Sequence, residues 1–382
     1  MNHSQIAAVL DDPPGPLVVG MRNRERNLRV LARAGAQCLP LHALSGLHSD
    51  QPLLAVRSDL AINPALFGKL PDAGLGPCLL GPEHGPHALF GPAGALRVLL
   101  PRYLAGELLQ QSAELPVIAL DERAALSLAS AELARSATTS LLHQAAKPTD
   151  GIVSRHLNRR ISRFFSRIFL TLGLTPGHAT AVNMAIGLVC AYLAAQTGYL
   201  TMVLAGILFQ LASAFDGVDG EMARSTLGES PRGAWLDTAV DNLTYVVCLI
   251  GISIGWVREG VGAAGLWLAG SLVVIVPCAL LALVRFVQRY GPDGSLVFVD
   301  RCVERAARDS GYRSLRLARF LFHALRRDVF AALFCLISFS GVRAAVPIAV
   351  AAGAAVALLT LLGHRPRLLA AAQALAVQQR PV

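Results

Sequence analysis

Between Asp216 and Asp241 the sequence DGVDGEMARSTLGESPRGAWLDTAVD sets four aspartates inside or beside very apolar sequence. Asp216 and Asp219 are three residues apart, and Asp237 and Asp241 are four apart. On helices, each pair shares one face. The run before this stretch, TMVLAGILFQLASAF, and the run after it, NLTYVVCLIGISIGWV, read as membrane spans. Carboxylates beside lipid-facing helices are costly unless they are paired or bind cations. Four of them converging from two adjacent helices make a hard-cation site of the kind Mg²⁺ favours. Gly220 and Gly233 let backbone and ligand approach closely, and Arg224 supplies a planar fork for a phosphate. This combination points to phosphoryl-group chemistry.

Composition narrows the setting. The chain has 382 residues, enough for more than one domain. Hydrophobic residues make up 54% of it and the mean hydropathy is +0.51, which places part of the chain in a membrane. The net charge of +9 is carried almost wholly by arginine. In a chain this apolar, such charge serves the lipid surface and anionic substrates rather than nucleic acid. Seven cysteines are scattered without a CxxC pair or a His/Cys cluster, so neither a zinc site nor a disulfide framework is expected. Cys190, Cys248, Cys278 and Cys335 lie in apolar runs and read as packing residues. His87, His156, His178 and His323 pair with no Ser or Cys in a nucleophile motif. The N-terminus, MNHSQIAAVLDDPPGP, lacks the pattern of a signal peptide.

The spacing of the central stretch carries a resemblance. Asp219-Gly220, two residues, Ala223-Arg224, eight residues, Gly233, three residues, Asp237, three residues and Asp241 is similar to the signature of the CDP-alcohol phosphatidyltransferase family. Asp216 stands as that family's extra leading aspartate. The resemblance extends over roughly residues 145–365 and implies a membrane bundle of about six helices. It implies that Asp216, Asp219, Asp237 and Asp241 hold Mg²⁺, as two ions, with Mn²⁺ able to substitute. It implies that Gly220, Ala223, Arg224 and Gly233 bind the CDP moiety, and that Ser230 adds a hydroxyl contact. Asp241 is the candidate general base. The implied reaction moves a substituted phosphate from a CDP-alcohol donor to an acceptor hydroxyl and releases CMP, in phospholipid biosynthesis. An alternative product is a polar phosphodiester, such as an inositol-phosphate compound made from CDP-inositol. A non-catalytic membrane scaffold and a cation transporter are the competing classes. The resemblance also implies a homodimer; small residues in GAAGLWLAGS and AVAAGAAVA suit close helix packing within or between chains.

Four segments follow along the chain. Residues 1–143 alternate short apolar runs with helical stretches and read as a soluble α/β domain with a mainly parallel sheet. LVVG, LLAV, CLLG and PVIAL supply its strands, and residues 95–112 and 122–143 its later helices. GMRNRERNLRVLARAG and LLAVRSDLAINPALF resemble the first crossover helix and the metal-binding Asp turn of sugar-nucleotide nucleotidyltransferases, with Asp59 in the Asp position. The glycine-rich nucleotide loop expected before residue 18 is absent, so the domain reads as a degenerate relative and Asp59 as a turn residue.

Residues 144–176 read as a basic amphipathic juxtamembrane helix, with Thr149 or Asp150 as its cap. Val153, Leu157, Ile161, Phe164, Phe165, Ile168 and Phe169 form one side; Arg155, Arg159, Arg160, Arg163 and Arg167 largely cover the other. Residues 177–365 form the membrane domain, with spans near 178–198, 200–222, 233–256, 261–285, 328–342 and 344–363. The fifth is short. Residues 366–382 form a tail. The arginines concentrate in 1–177, 223–232, 286–327 and the tail, which places those segments and the aspartates on the cytoplasmic side of the cell membrane. In the 286–327 connection, SLRLARFLFHALRR reads as a second basic amphipathic helix at the lipid surface.

Overall fold

A computed structural model describes residues 6–72, 76–82, 85–107, 115–146, 151, 153–260, 262–290, 297–310, 315 and 327–378. The chain divides into two compact units. One comprises Met1–Ala146 with Arg163–Pro176 and Gly220–Ser230; the other comprises Lys147–Ser162 with Gly177–Asp219 and Pro231–Val382.

The first unit is built on strands β1 (Ala7–Leu10), β2 (Leu17–Val18), β3 (Met21–Arg22), β4 (Gln37–Cys38), β5 (Pro52–Val56), β6 (Leu60–Ile62), β7 (Cys78–Gly81), β8 (Ala88–Pro92), β9 (Val117–Ala119) and β10 (Ala125–Ser127). Its helices are α1 (Asn23–Arg33), α2 (Ala93–Leu104) and α3 (Ala131–Gln144). The six-stranded sheet runs β4-β1-β5-β8-β7-β9. Only β8 is antiparallel to its neighbours; the other pairings are parallel. The sheet is therefore mixed and mainly parallel, as expected.

Its strand β1 comes from AAVL, a run that prolines and aspartates had masked as polar sequence. All four residues are buried, and their period of two feeds both faces of the sheet. Ala8 and Leu10 join Leu54 and Val56 beneath α1. Ala7 and Val9 join Leu53 and Ala55 beneath α2. LVVG, by contrast, supplies only a two-residue hairpin of β2 with β3. Two asparagines pin α1 to β6. Asn23 and Asn27 each donate Nδ2 to Leu60 O at 2.8 Å, and Ile62 N donates back to Asn27 Oδ1 at 3.1 Å. The stretch expected to be helical from 122 begins instead with β10, whose Ala125–Ser127 pair with β6.

Helices continue with α4 (Arg159–Thr171), α5 (Pro176–Ala194), α6 (Tyr199–Ser225), α7 (Pro231–Arg258), α8 (Ala263–Tyr290), α9 (Val297–Ser310), α10 (Arg327–Ser338), α11 (Ala345–Gly363) and α12 (Arg365–Gln378). Among the described residues, five helices are long and apolar enough to cross a membrane: α5, α6, α7, α8 from Gly265, and α11. This is an integral membrane protein. The remaining expected span is α10, of 12 residues; at 1.5 Å per residue it extends about 18 Å, against a hydrocarbon core of about 30 Å. The stretch read as a tail folds into α12. Its Leu368, Ala371 and Ala372 are buried with Val299, Cys302 and Val303 of α9. The cap residues Thr149 and Asp150, and SLRLARFLFHALRR apart from Leu315 and Arg327, lie outside the described residues.

The juxtamembrane helix α4 packs a polar strip into protein. Asn158, Arg159, Ser162 and Ser166 are buried, while Leu157, Phe164 and Ile168 are exposed. The apolar side is thus left for the bilayer, and the small polar side packs into protein. Arg159 therefore belongs to the packed side rather than to a basic outer face.

Two contacts set α6 and α7 in place. Helix α7 meets α5 through glycines: a Cβ at Gly251 would lie 2.3 Å from Ala191 O, and one at Gly255 2.1 Å from Ala194 O. The GISIG run is thus a small-xxx-small contact. An aromatic cluster joins α6 to α7 and α10, with Phe209 edge-on to Tyr245, Phe330 and Phe334 at centroid distances of 5.4, 6.0 and 5.2 Å. Arg343 is almost fully buried. It pairs with Glu259 at 2.8 Å and donates to Ala194 O and Gly198 O, satisfying carbonyls at the end of α5. Gly251→Ala should lower the melting temperature in detergent by several degrees, since overpacking a close contact costs about 1–3 kcal/mol. Gly270→Ala, where a Cβ meets nothing within 4 Å, should leave it unchanged or raise it. Equal melting temperatures for the two variants would contradict the close α5–α7 contact.

Candidate functional site

The aspartates are placed by two helices. Asp216 and Asp219 lie on α6, and Asp237 and Asp241 on α7. Asp241 is one turn before Tyr245, and Asp216 two turns after Phe209, so the aromatic contact registers the two carboxylate pairs. The result is a cluster: Asp216, Asp237 and Asp241 each offer a carboxylate oxygen, and these atoms lie within 4.8 Å of one another. All three are half-buried. The fourth aspartate is held differently. Asp219 is 8% exposed, and the equally buried Thr180 of α5 donates its Oγ1 to Asp219 Oδ2 at 2.6 Å.

An all-oxygen, anionic donor set of this size suits a hard divalent cation such as Mg²⁺ or Mn²⁺. Three carboxylates from two rigid helices fit such an ion, with positions left over for water or a substrate oxygen.

The remaining signature residues belong to the first unit or to the start of α7. At Gly220 a Cβ would come within 2.8 Å of an Arg224 guanidinium nitrogen, so the glycine makes room for the arginine one turn on. Arg224 donates Nε to Ala145 O at 2.6 Å, at the end of α3. Ala223 is half-buried on α6, whereas Ser230 and Gly233 are exposed. The connection from α6 to α7 is anchored in its own unit. Arg29 donates to Thr226 O at 3.0 Å, Arg33 pairs with Glu229 at 2.5 Å, and Leu227 packs on the core under α1.

Sequence reasoning missed three residues here. Thr180 was silent because a lone threonine in a span looks like packing. Glu221 lies inside the signature yet is fully buried, accepting Ser166 Oγ at 2.8 Å. Arg159 packs against Gly217, where a Cβ would lie 2.8 Å from its guanidinium. The alternation of Asn158, Ser162 and Ser166 at helical spacing was the available signal for that polar packed side.

The Asp59 turn is differently occupied. Arg57 binds both Asp59 oxygens, at 3.3 and 3.0 Å. Burial opposes the Arg57 charge, but the hydrogen bond and charge of Asp59 outweigh it and hold the guanidinium above its ordinary value. Asp11, which follows β1, accepts Ser58 N at 2.8 Å, and burial pushes its carboxyl up. The loop joining β1 to α1 carries Asp11, Asp12, Pro13 and Pro14. Acids repel a triphosphate and prolines lack N–H donors, so the loop offers little of a phosphate cradle.

Comparison with known proteins addresses the signature directly. The profile of the family described as CDP-alcohol phosphatidyltransferase matches residues 174–297. That match covers the helices that carry the four aspartates and the signature spacing. The chain is 42% identical over 135 residues to a bifunctional IPC transferase and DIPP synthase of Rubrobacter xylanophilus, covering 35% of this chain and 30% of the relative. It is 37% identical over 108 residues to the protein of that name from Thermococcus kodakarensis, covering 28% and 24%. An archaetidylinositol phosphate synthase of Pyrococcus horikoshii is 37% identical over 71 residues, covering 18% and 38%. The chain thus spans well under half the length of these curated relatives.

The cluster makes a direct prediction. Mn²⁺ should raise the melting temperature of the chain in detergent, because three converging carboxylates bind it only when folded. Asp237→Asn should remove most of that rise. A rise of the same size in the variant would show that the ion binds elsewhere.

Proposed function

We propose that the chain transfers a substituted phosphate from a CDP-alcohol donor to an acceptor hydroxyl and releases CMP, in a reaction that depends on a divalent cation. The observation that carries this reading is the three-carboxylate cluster, formed by the two helices that bear the signature of the matched domain. Asp216, Asp237 and Asp241 would hold the cation, with Asp219 as the fourth ligand. A bound divalent cation supplies charge neutralisation for the attacking and leaving oxygens. Arg224 binds the donor diphosphate through its fork, Gly220, Ala223 and Gly233 give the CDP a close backbone surface, and Ser230 adds a hydroxyl contact. Asp241 takes the proton of the acceptor hydroxyl. It offers one oxygen to the cluster; a carboxylate has two, so cation and proton need not compete for one atom. The acceptor oxygen forms its bond to the β-phosphorus, and the bond from that phosphorus to CMP breaks.

The donor in this reading is a CDP-linked lipid and the product a phospholipid, made at the cytoplasmic face by a homodimer. The arginine bias of the connecting segments supports that orientation. A second reading, a polar phosphodiester made from CDP-inositol, is favoured by relatives named as DIPP synthases. The Arg57–Asp59 pair and the acidic, proline-bearing loop after β1 argue that such a donor would be made elsewhere.

CMP release by the purified chain with Mg²⁺, given CDP-diacylglycerol or CDP-inositol and a panel of hydroxyl acceptors, tests both readings. CMP with the lipid donor alone establishes phospholipid synthesis; CMP with CDP-inositol alone establishes the polar product. CMP with neither sinks the proposal. Asp241→Asn should cut turnover by at least about 100-fold while donor binding persists, and undiminished turnover would exclude Asp241 as the base.

A further inference from the structure

The first unit contains a cavity of about 860 Å³, within the range of small-molecule pockets. Arg26, Arg123 and Arg224 line it. Asp11, Arg57 and Asp59 do not, and neither does any member of the carboxylate cluster.

Arg26 is the residue that most needs a reason. It is 2% exposed. Its terminal nitrogens donate to Ile62 O at 2.6 Å and to Asn63 Oδ1 at 2.5 Å. Both acceptors are neutral, and Nε has no partner among the described residues. Among the described residues no carboxylate pairs with it, and burial alone lowers its pKa to about 10. A buried cation without a counter-charge is a cost that folding does not require, since an apolar residue of similar volume would fill the same space. Arg123 is exposed and has no ion pair among the described residues.

The acids on the cavity wall do not answer this charge. Asp121 is bound by Lys69 at 2.9 Å, and Glu122 accepts the Ser140 hydroxyl at 2.7 Å. Arg26 and Arg123 are left without an acid partner among the described residues. Guanidinium forks match the oxygens of phosphate better than those of any neutral ligand. Asn63, Ser140 and Gln144 add neutral hydrogen-bonding groups, and Leu141 and Leu227 add apolar surface.

We propose that this cavity binds a small phosphorylated ligand, a phosphate monoester on a polyol or nucleoside body, through Arg26, Arg123 and Arg224. The phosphate supplies the counter-charge that Arg26 lacks, and the neutral groups take up the hydroxyls of the body. The site shares Arg224 with the phosphotransfer reading, but Arg26 and Arg123 take no part in that reading and none of the clustered aspartates lines the cavity, so the two can fail separately.

The test is calorimetric titration of the full-length chain in detergent, with EDTA present to empty the carboxylate cluster. CMP, glycerol 3-phosphate and inorganic phosphate are the probes. At least one monoester should bind, and more tightly than inorganic phosphate. CMP as the tighter monoester assigns a nucleoside body; glycerol 3-phosphate assigns a polyol. Arg123→Glu should weaken that binding at least tenfold, and Asp237→Asn should leave it within twofold. Arg26→Gln should abolish the ligand-dependent rise in melting temperature while the ligand-free melting temperature holds or increases. Binding lost in Asp237→Asn but kept in Arg123→Glu would move the anion to the carboxylate cluster and overturn the proposal. So would failure of every probe to bind, or inorganic phosphate binding as tightly as both monoesters.

Discussion

Three carboxylates held within 4.8 Å of one another are the constraint around which the membrane unit is arranged. In ionised form, each pair at that separation repels by about 3 kcal/mol at an effective dielectric of about 20. Helices free to slide would relieve that repulsion. They are held by contacts with no charge: the glycine seam of α5 on α7, and the edge-on aromatics that lock α6 against α7 and α10. The uncharged packing holds against an electrostatic tension that a bound cation would relieve. Asp219, on α6 beside the trio, accepts the Thr180 hydroxyl.

In the α/β unit β1 pairs in parallel with β5. The turn after β5 is held by a local pair, Arg57 on Asp59, and the connection after β1 is acidic and proline-bearing. A carboxylate already engaged by a guanidinium two residues away is poorly suited to hold a metal as well.

Much of this was legible in the sequence because membrane carboxylates are so costly that their spacing carries meaning. The four aspartates, and the helices that bear them, follow from that spacing alone. What was not legible depended on neighbours far along the chain. AAVL was hidden because four residues between polar flanks give no periodicity. Thr180 and Asp219 are 39 residues apart, and nothing in either segment announces the bond. The polar packed strip of α4 was not legible for a related reason: in a bilayer the hydrophobic side of a helix need not be the side that packs, and Asn158, Ser162 and Ser166 take the protein contact. Helix α10 was read as a span from hydropathy, which does not count turns.

Gly220–Ser230 folds with the α/β unit rather than with the helices on either side of it. Leu227 sits on that unit's core with a left-handed φ of 55°, a conformation that side chains other than glycine adopt only where surroundings enforce it. The segment that bears part of the signature thus takes its support from the α/β unit. Deletion of that unit would strip Leu227 and Glu229 of their partners and release the segment that bears Arg224. The physical support of the signature segment therefore reaches back some two hundred residues, to Arg29 and Arg33.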